Sequence, residues 1–155
     1  MRRDAGVDEL SAVGIGNAVS TATEGWQDRV RAITGGASIR AAVDSIGGTA
    51  SKDLLSLLGE NGLLVSFGTM NGEPMQIASG DLIFKQAVVK GFWGSKVSEA
   101  MPTDTKIRLI GELLRLVATG ELDLPVEAVF AFEQITDAVK ASLAPGKKGK
   151  VLLRP

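Results

Sequence analysis

Residues 63–68 read Leu-Leu-Val-Ser-Phe-Gly, an apolar run closed by glycine and preceded by the turn pair Asn61-Gly62. That pattern predicts a strand buried on both faces, and such strands belong to parallel sheets whose helices cover both sides. The neighbouring sequence continues the theme. Ala41-Ala42-Val43-Asp44 reads as a short buried strand and residues 45–48 as a turn. Thr49 or Ser51 can then cap a helix whose Leu54, Leu55 and Leu58 face inward, with Gly59 suited to the left-handed position past its end. Downstream, a loop holding Pro74 leads to a helical turn at residues 81–84. Ala87-Val88-Val89-Lys90-Gly91-Phe92-Trp93 follows as a strand of strong β-formers.

Farther out the alternation persists. Residues 8–13 predict a short helix broken by Gly14 and Gly16, and residues 18–21 a short strand. Gly25-Trp26 opens a helix with Trp26, Val30 and Ile33 on one face, and Gly35-Gly36 ends it. Thr103 or Asp104 caps a longer helix whose Ile107, Ile110, Leu114 and Val117 recur at helical spacing until Gly120. Residues 126–130 predict a strand, 133–143 a helix and 151–153 a last strand, while 95–103 is the least regular segment. Strands alternating with helices of this length make the fold class α/β, a parallel sheet with flanking helices, and the length suits one domain.

Composition narrows the chemistry. The 155 residues carry 17 basic and 18 acidic side chains, a net charge of -1, which leaves no basic footprint for nucleic acid. No apolar stretch approaches the roughly 18 residues of a spanning helix, and no signal pattern opens the chain, so no membrane partner and a cytoplasmic location are expected. Cys, His and Tyr each number 0. Disulfides, thiolate or imidazole metal sites, a cysteine nucleophile and histidine or tyrosine general acids are thereby excluded from these residues.

In parallel α/β sheets small ligands bind at the carboxyl ends of the strands, where loops and helix N-termini converge. Three strand ends therefore carry the candidate site: Asp44-Ser45-Ile46-Gly47-Gly48, Phe67-Gly68-Thr69-Met70 and Phe92-Trp93-Gly94. Their glycines allow close backbone approach, and Met70, Phe92 and Trp93 offer apolar faces to a flat ring. The same residues also read as turn glycines and core aromatics, and pattern alone does not separate the two. Gly14-Ile15-Gly16-Asn17-Ala18-Val19 imitates a G-x-G-x-x-G loop, but it ends in valine and follows a helix, so it reads as a cap and turn. Arg2-Arg3 can fork a phosphate, or can simply be solvated.

Taken together, Trp26-Gln27-Asp28-Arg29-Val30 with Thr34-Gly35-Gly36, Asp44 to Gly48, Phe67 to Met70, Leu82-Ile83-Phe84-Lys85, Gly91-Phe92-Trp93 and Gly149-Lys150-Val151-Leu152-Leu153 resemble the medium-chain dehydrogenase/reductase superfamily. The likeness is to its zinc-free quinone reductase and 2-enoyl thioester reductase branch. It implies NADPH as cofactor, hydride transfer to a quinone or enoyl compound as activity, and contacts from Arg2, Arg3, Phe67, Gly68, Thr69, Met70, Phe92, Trp93, Gly94 and Lys150, with Asp44 beside them. Arg2 and Arg3 fall where the family holds the 2'-phosphate. No catalytic residue is assigned, because the cofactor carries the chemistry.

The resemblance further implies a partial Rossmann-like NADP-binding domain lacking the first strand and glycine loop, with the GroES-like catalytic domain absent. A sheet opened in this way exposes an edge. Association of copies, or with a missing N-terminal half, is the expected consequence, and a non-catalytic, self-associating remnant or subunit is the alternative function.

Overall fold

The computed structural model describes residues 3–155, which divide between Val97 and Ser98 into two compact units. Both units contain only parallel strand pairs, joined through helices, as the alternating sequence pattern requires. No helix among the described residues is long and apolar enough to cross a membrane.

The first unit begins with α1 (Asp4–Ala12) and α2 (Trp26–Ile33). It continues through β1 (Ile39–Asp44), α3 (Thr49–Leu57), β2 (Leu58–Ser66), α4 (Ser79–Lys85) and β3 (Val88–Gly91). The sheet order is β1-β2-β3. Val43 pairs with Val65, and Val65 with Lys90, so all three strands end on one edge, Asp44 beside Ser66 beside Gly91. Leu55 and Leu64 are fully buried and Leu58 nearly so; Ile39, Ala42, Leu54, Ile77, Leu82, Ala87 and Val89 close around them.

Several local expectations need correction. Residues 18–21 form no strand: the segment is irregular and runs into a bend at residues 21–23, where the Arg29 guanidinium donates to the carbonyls of Ser20 (3.1 Å), Thr23 and Glu24. Neither Thr49 nor Ser51 caps α3. Its N-cap is Gly48, at φ 60, and the Ser51 hydroxyl is used elsewhere. The left-handed residue that follows α3 is Asn61, at φ 57, in a bulge where residues 59–62 oppose Arg40 alone. The α3 C-terminus is capped from a distance instead. Lys85 donates to the carbonyls of Leu55 (3.3 Å) and Ser56 (2.7 Å) and pairs with Asp81 at 2.9 Å.

The second unit contains α6 (Thr103–Ala118), β4 (Val126–Ala131), a 3-10 turn at Phe132–Gln134, α7 (Ile135–Leu143) and β5 (Lys150–Arg154). The preceding α5 (Gly94–Ala100) occupies much of the segment read as irregular and runs through the division between units. β4 and β5 pair in parallel and α7 lies against both. The N-cap of α6 is Pro102, without a side-chain cap from Thr103 or Asp104. Its stripe of Ile107, Ile110, Leu114 and Val117 forms as expected but stays exposed, Ile107 at 66%.

Truncating Leu55 or Leu64 to Ala removes a fully buried side chain from the small core of the first unit. A loss of about 2–5 kcal/mol is expected, read as a lower urea midpoint with the slope unchanged.

Candidate site at the carboxyl edge of the three-stranded sheet

Asp44 ends β1 with its side chain turned inward, 1% exposed. One carboxylate oxygen accepts the amides of Ile46 (2.8 Å) and Gly47 (3.2 Å), and the other accepts the Ser51 hydroxyl at 2.5 Å. Burial pushes this carboxyl up, but the bonds from Ser51, Ile46 and Gly47 outweigh it and hold it below the ordinary aspartate range. The carboxylate thus organises the turn from within and leaves ligand contact to the surrounding backbone and side chains.

That turn holds the next loop. The Phe67 amide donates to the Asp44 carbonyl at 2.9 Å, Met70 to Ser45 at 3.1 Å, Asn71 to Ile46 at 3.1 Å and Gln76 to Gly48 at 3.1 Å. Gly68 allows the approach: a Cβ there would lie 3.0 Å from the Ser45 carbonyl oxygen. On the far side the Phe92 amide donates to the Ser66 carbonyl at 2.8 Å, anchoring the third strand end to the second. The three loops read from the sequence therefore meet on one edge.

The edge is apolar on its outer side. Phe67, Met70, Phe92 and Trp93 are exposed at 53%, 74%, 48% and 65%, so the reading of Phe92 and Trp93 as core is not what the structure shows. Lys96 lies 5.0 Å from the Trp93 ring centre, adding a cation to this surface. Thr69 is exposed between Phe67 and Met70, and Gly94 opens α5 beside the Phe92 ring.

Arg2 is outside the described residues. Arg3 is the N-cap of α1, 60% exposed, with its guanidinium 4.0 Å from Glu9. Lys150 opens β5 in the second unit, with an exposed side chain and its amide on the Pro125 carbonyl at 2.8 Å. The imitation glycine loop is a helix end: the amides of Gly14 and Ile15 donate back to Ser11 and Leu10 in α1. Sequence reading missed an open cleft of about 460 Å³ between α1, residues 18–23 and α2, lined by Asp4, Val7, Asp8, Val19, Ser20 and Arg29. No motif signals it, since it arises from how two helices flank an irregular segment.

Residues 2–110 match a family described as zinc-binding dehydrogenase. The chain is 31% identical over 114 residues to the mitochondrial enoyl-[acyl-carrier-protein] reductase of Homo sapiens, covering 74% of this chain and 31% of that protein. Among solved structures, the quinone oxidoreductase of Pseudomonas syringae superposes with a TM-score of 0.77 at 22% identity, covering 100% of this chain and 47% of that one. An Etr1p mutant in complex with NADP and crotonyl-CoA gives 0.72 at 20% identity, covering 92% of this chain and 43% of that one. The chain spans about a third of the length of the curated relatives it matches, 33% of the enoyl reductase of Kluyveromyces lactis.

Because the folded state holds Asp44 more acidic than an unfolded chain does, its stabilisation is complete above about pH 4 and drains as the pH falls through the folded value. Asp44→Asn is expected to cost about 1–3 kcal/mol at neutral pH and to flatten the acid limb of the stability curve, read by urea unfolding between pH 3 and 7. An unchanged acid limb would sink the assignment.

Proposed function

Because the chain belongs to the zinc-binding dehydrogenase family, we propose that it is the cofactor-domain part of an NADPH-dependent oxidoreductase that passes hydride to a quinone or to an activated enoyl double bond. The observation that carries this reading is the exposed apolar edge of Phe67, Met70, Phe92 and Trp93 at the carboxyl ends of two of the three parallel strands, the place where such sheets take nucleotides. The quinone oxidoreductase and the NADP-bound Etr1p that share the fold support it.

The residues present fit the ring end of a dinucleotide. Phe67, Met70, Phe92 and Trp93 supply apolar and aromatic area for a flat heterocycle, and Gly68 lets the loop that carries Phe67 and Met70 pack against the Ser45 backbone. When bound, the reduced nicotinamide supplies the hydride. These residues orient it and exclude water from its face, while Arg2 and Arg3 carry the charge that suits a 2'-phosphate. Zinc does not fit this chain: it has no Cys or His, and among the described residues no three acidic side chains gather. The zinc-free branch is proposed on the resemblance of the strand-end motifs.

A second reading rests on a separate observation. Among the described residues β1 pairs only with β2, so its other edge presents backbone amides and carbonyls open to strand pairing with a second copy or another subunit, and Val43, 63% exposed, adds apolar character to the same strand. Light scattering after size exclusion is expected to show assembly under that reading, and a clean monomer would exclude it.

Fluorescence titration of the full chain with NADPH and NADH tests the first reading. NADPH is expected to bind more tightly, and replacing Arg2 and Arg3 with Ala is expected to erase most of that difference. Equal losses for the two cofactors would refute the phosphate role, and no saturation by NADPH up to about 10 mM would refute NADPH binding by this chain.

A further inference from the structure

Asp44 is buried, yet the 67–70 loop, which supplies Phe67 and Met70 to the apolar edge, is tied to it and to the turn it holds. Its side chain fixes the amides of Ile46 and Gly47, and the carbonyls of that same turn hold Met70, Asn71 and Gln76. Its own carbonyl holds Phe67. Ser51, in the first turn of α3 and fully buried, closes the network by donating to the second carboxylate oxygen. The turn is further locked because Gly48, at φ 60, leaves no room for a Cβ beside Asn71 and Glu73.

We propose that Asp44, held by Ser51, is the positioning residue of the candidate site: its carboxylate sets the 45–48 turn, and the turn sets where Phe67 and Met70 stand. This rests on reading the 67–70 and 92–94 segments as the ring-binding edge. Chemistry favours a carboxylate here. A charged acceptor makes shorter and stronger bonds than a neutral one, and a buried charge tolerates no loss of a donor, so the turn has one low-energy arrangement. An amide in its place would offer one acceptor oxygen to the two backbone amides, and its NH2 group would reverse the bond to the Ser51 hydroxyl, replacing two charge-assisted acceptors with a neutral acceptor and a donor.

Amide hydrogen exchange on the full chain tests the inference, with Ser51→Ala beside Asp44→Asn so that one variant keeps the carboxylate and the fold. Exchange at Ile46, Gly47, Met70, Asn71 and Gln76 is expected to quicken about tenfold, matching one charge-assisted bond, while Leu64 and Val65 in the core strand hold their rates. A uniform rise across the first unit would mean a merely structural role and overturn the inference, as would no change at all. In a second arm, NADPH is added. Protection of Met70 and Asn71 is expected in the parent chain and is expected to be lost in Ser51→Ala; protection that survives in the variant overturns the positioning role. A parent chain that gains no protection from NADPH, with the local quickening intact, overturns the proposed function and leaves the coupling between Asp44 and the loop supported.

Discussion

The Asp44 carboxylate accepts three hydrogen bonds in a place closed to water, and the order of the strand-end loops follows from the need to satisfy it. Removing a carboxylate from water costs several kcal/mol even after relaxation, and that cost is offset only when every lone pair finds a donor. Two donors are backbone amides two and three residues on, which forces the chain to turn immediately after β1. The third comes from α3, which fixes the helix against the same point. A strand, a turn and a helix are thus set by one charge, and the apolar edge inherits its shape from them.

Most of the regular structure was legible because it is locally encoded. Leu63 to Ser66 and Ala128 to Phe130 are strands in a context bounded by glycine or proline, and both pair in parallel as their apolar character requires. Meeting of the three loops was also legible, since parallel strands must end on one edge. What stayed hidden depends on partners distant in sequence. The Arg29 guanidinium takes the Ser20 carbonyl from nine residues away, so that acceptor is used outside any ladder and the β-like composition at residues 18–21 does not become a strand. Lys85 caps α3 from 29 residues away at Ser56, a role that reading Leu82 to Lys85 as a motif does not reveal. Asp44 was placed at the right edge, while the inward turn of its side chain depends on Ser51, whose own pattern suggested a helix cap.

Periodicity shows which side chains share a face and says nothing about whether the face is covered. In α6 the spacing of Ile107, Ile110 and Leu114 is that of a buried stripe, and the helix forms, yet those residues are exposed at 66%, 56% and 65%. The second unit has one buried apolar side chain, Ala138, among its described residues. A two-stranded sheet with a single covering helix is marginal by itself, whereas the first unit closes a core of three leucines between α3, α4 and three strands.

Magnitudes then bound what the apolar edge can do. Covering roughly 200 Å² of Phe67, Met70, Phe92 and Trp93 with a flat ring is worth about 5 kcal/mol at about 25 cal/mol per Å². Lost translational and rotational freedom takes at least about 4 kcal/mol of that. No G-x-G-x-x-G turn between a strand and a helix occurs in this chain, so the pyrophosphate finds no such cradle of amides here. Ring contacts alone therefore leave about 1 kcal/mol, a Kd on the order of 0.2 M, and saturation by NADPH below about 10 mM needs both arginines. An exposed arginine on a phosphate adds at most about 1.5–3 kcal/mol before screening, a factor of roughly ten to a hundred. Affinity is thus weak on either cofactor. The ratio between NADPH and NADH, which cancels the shared ring term, is the quantity in which these residues show themselves.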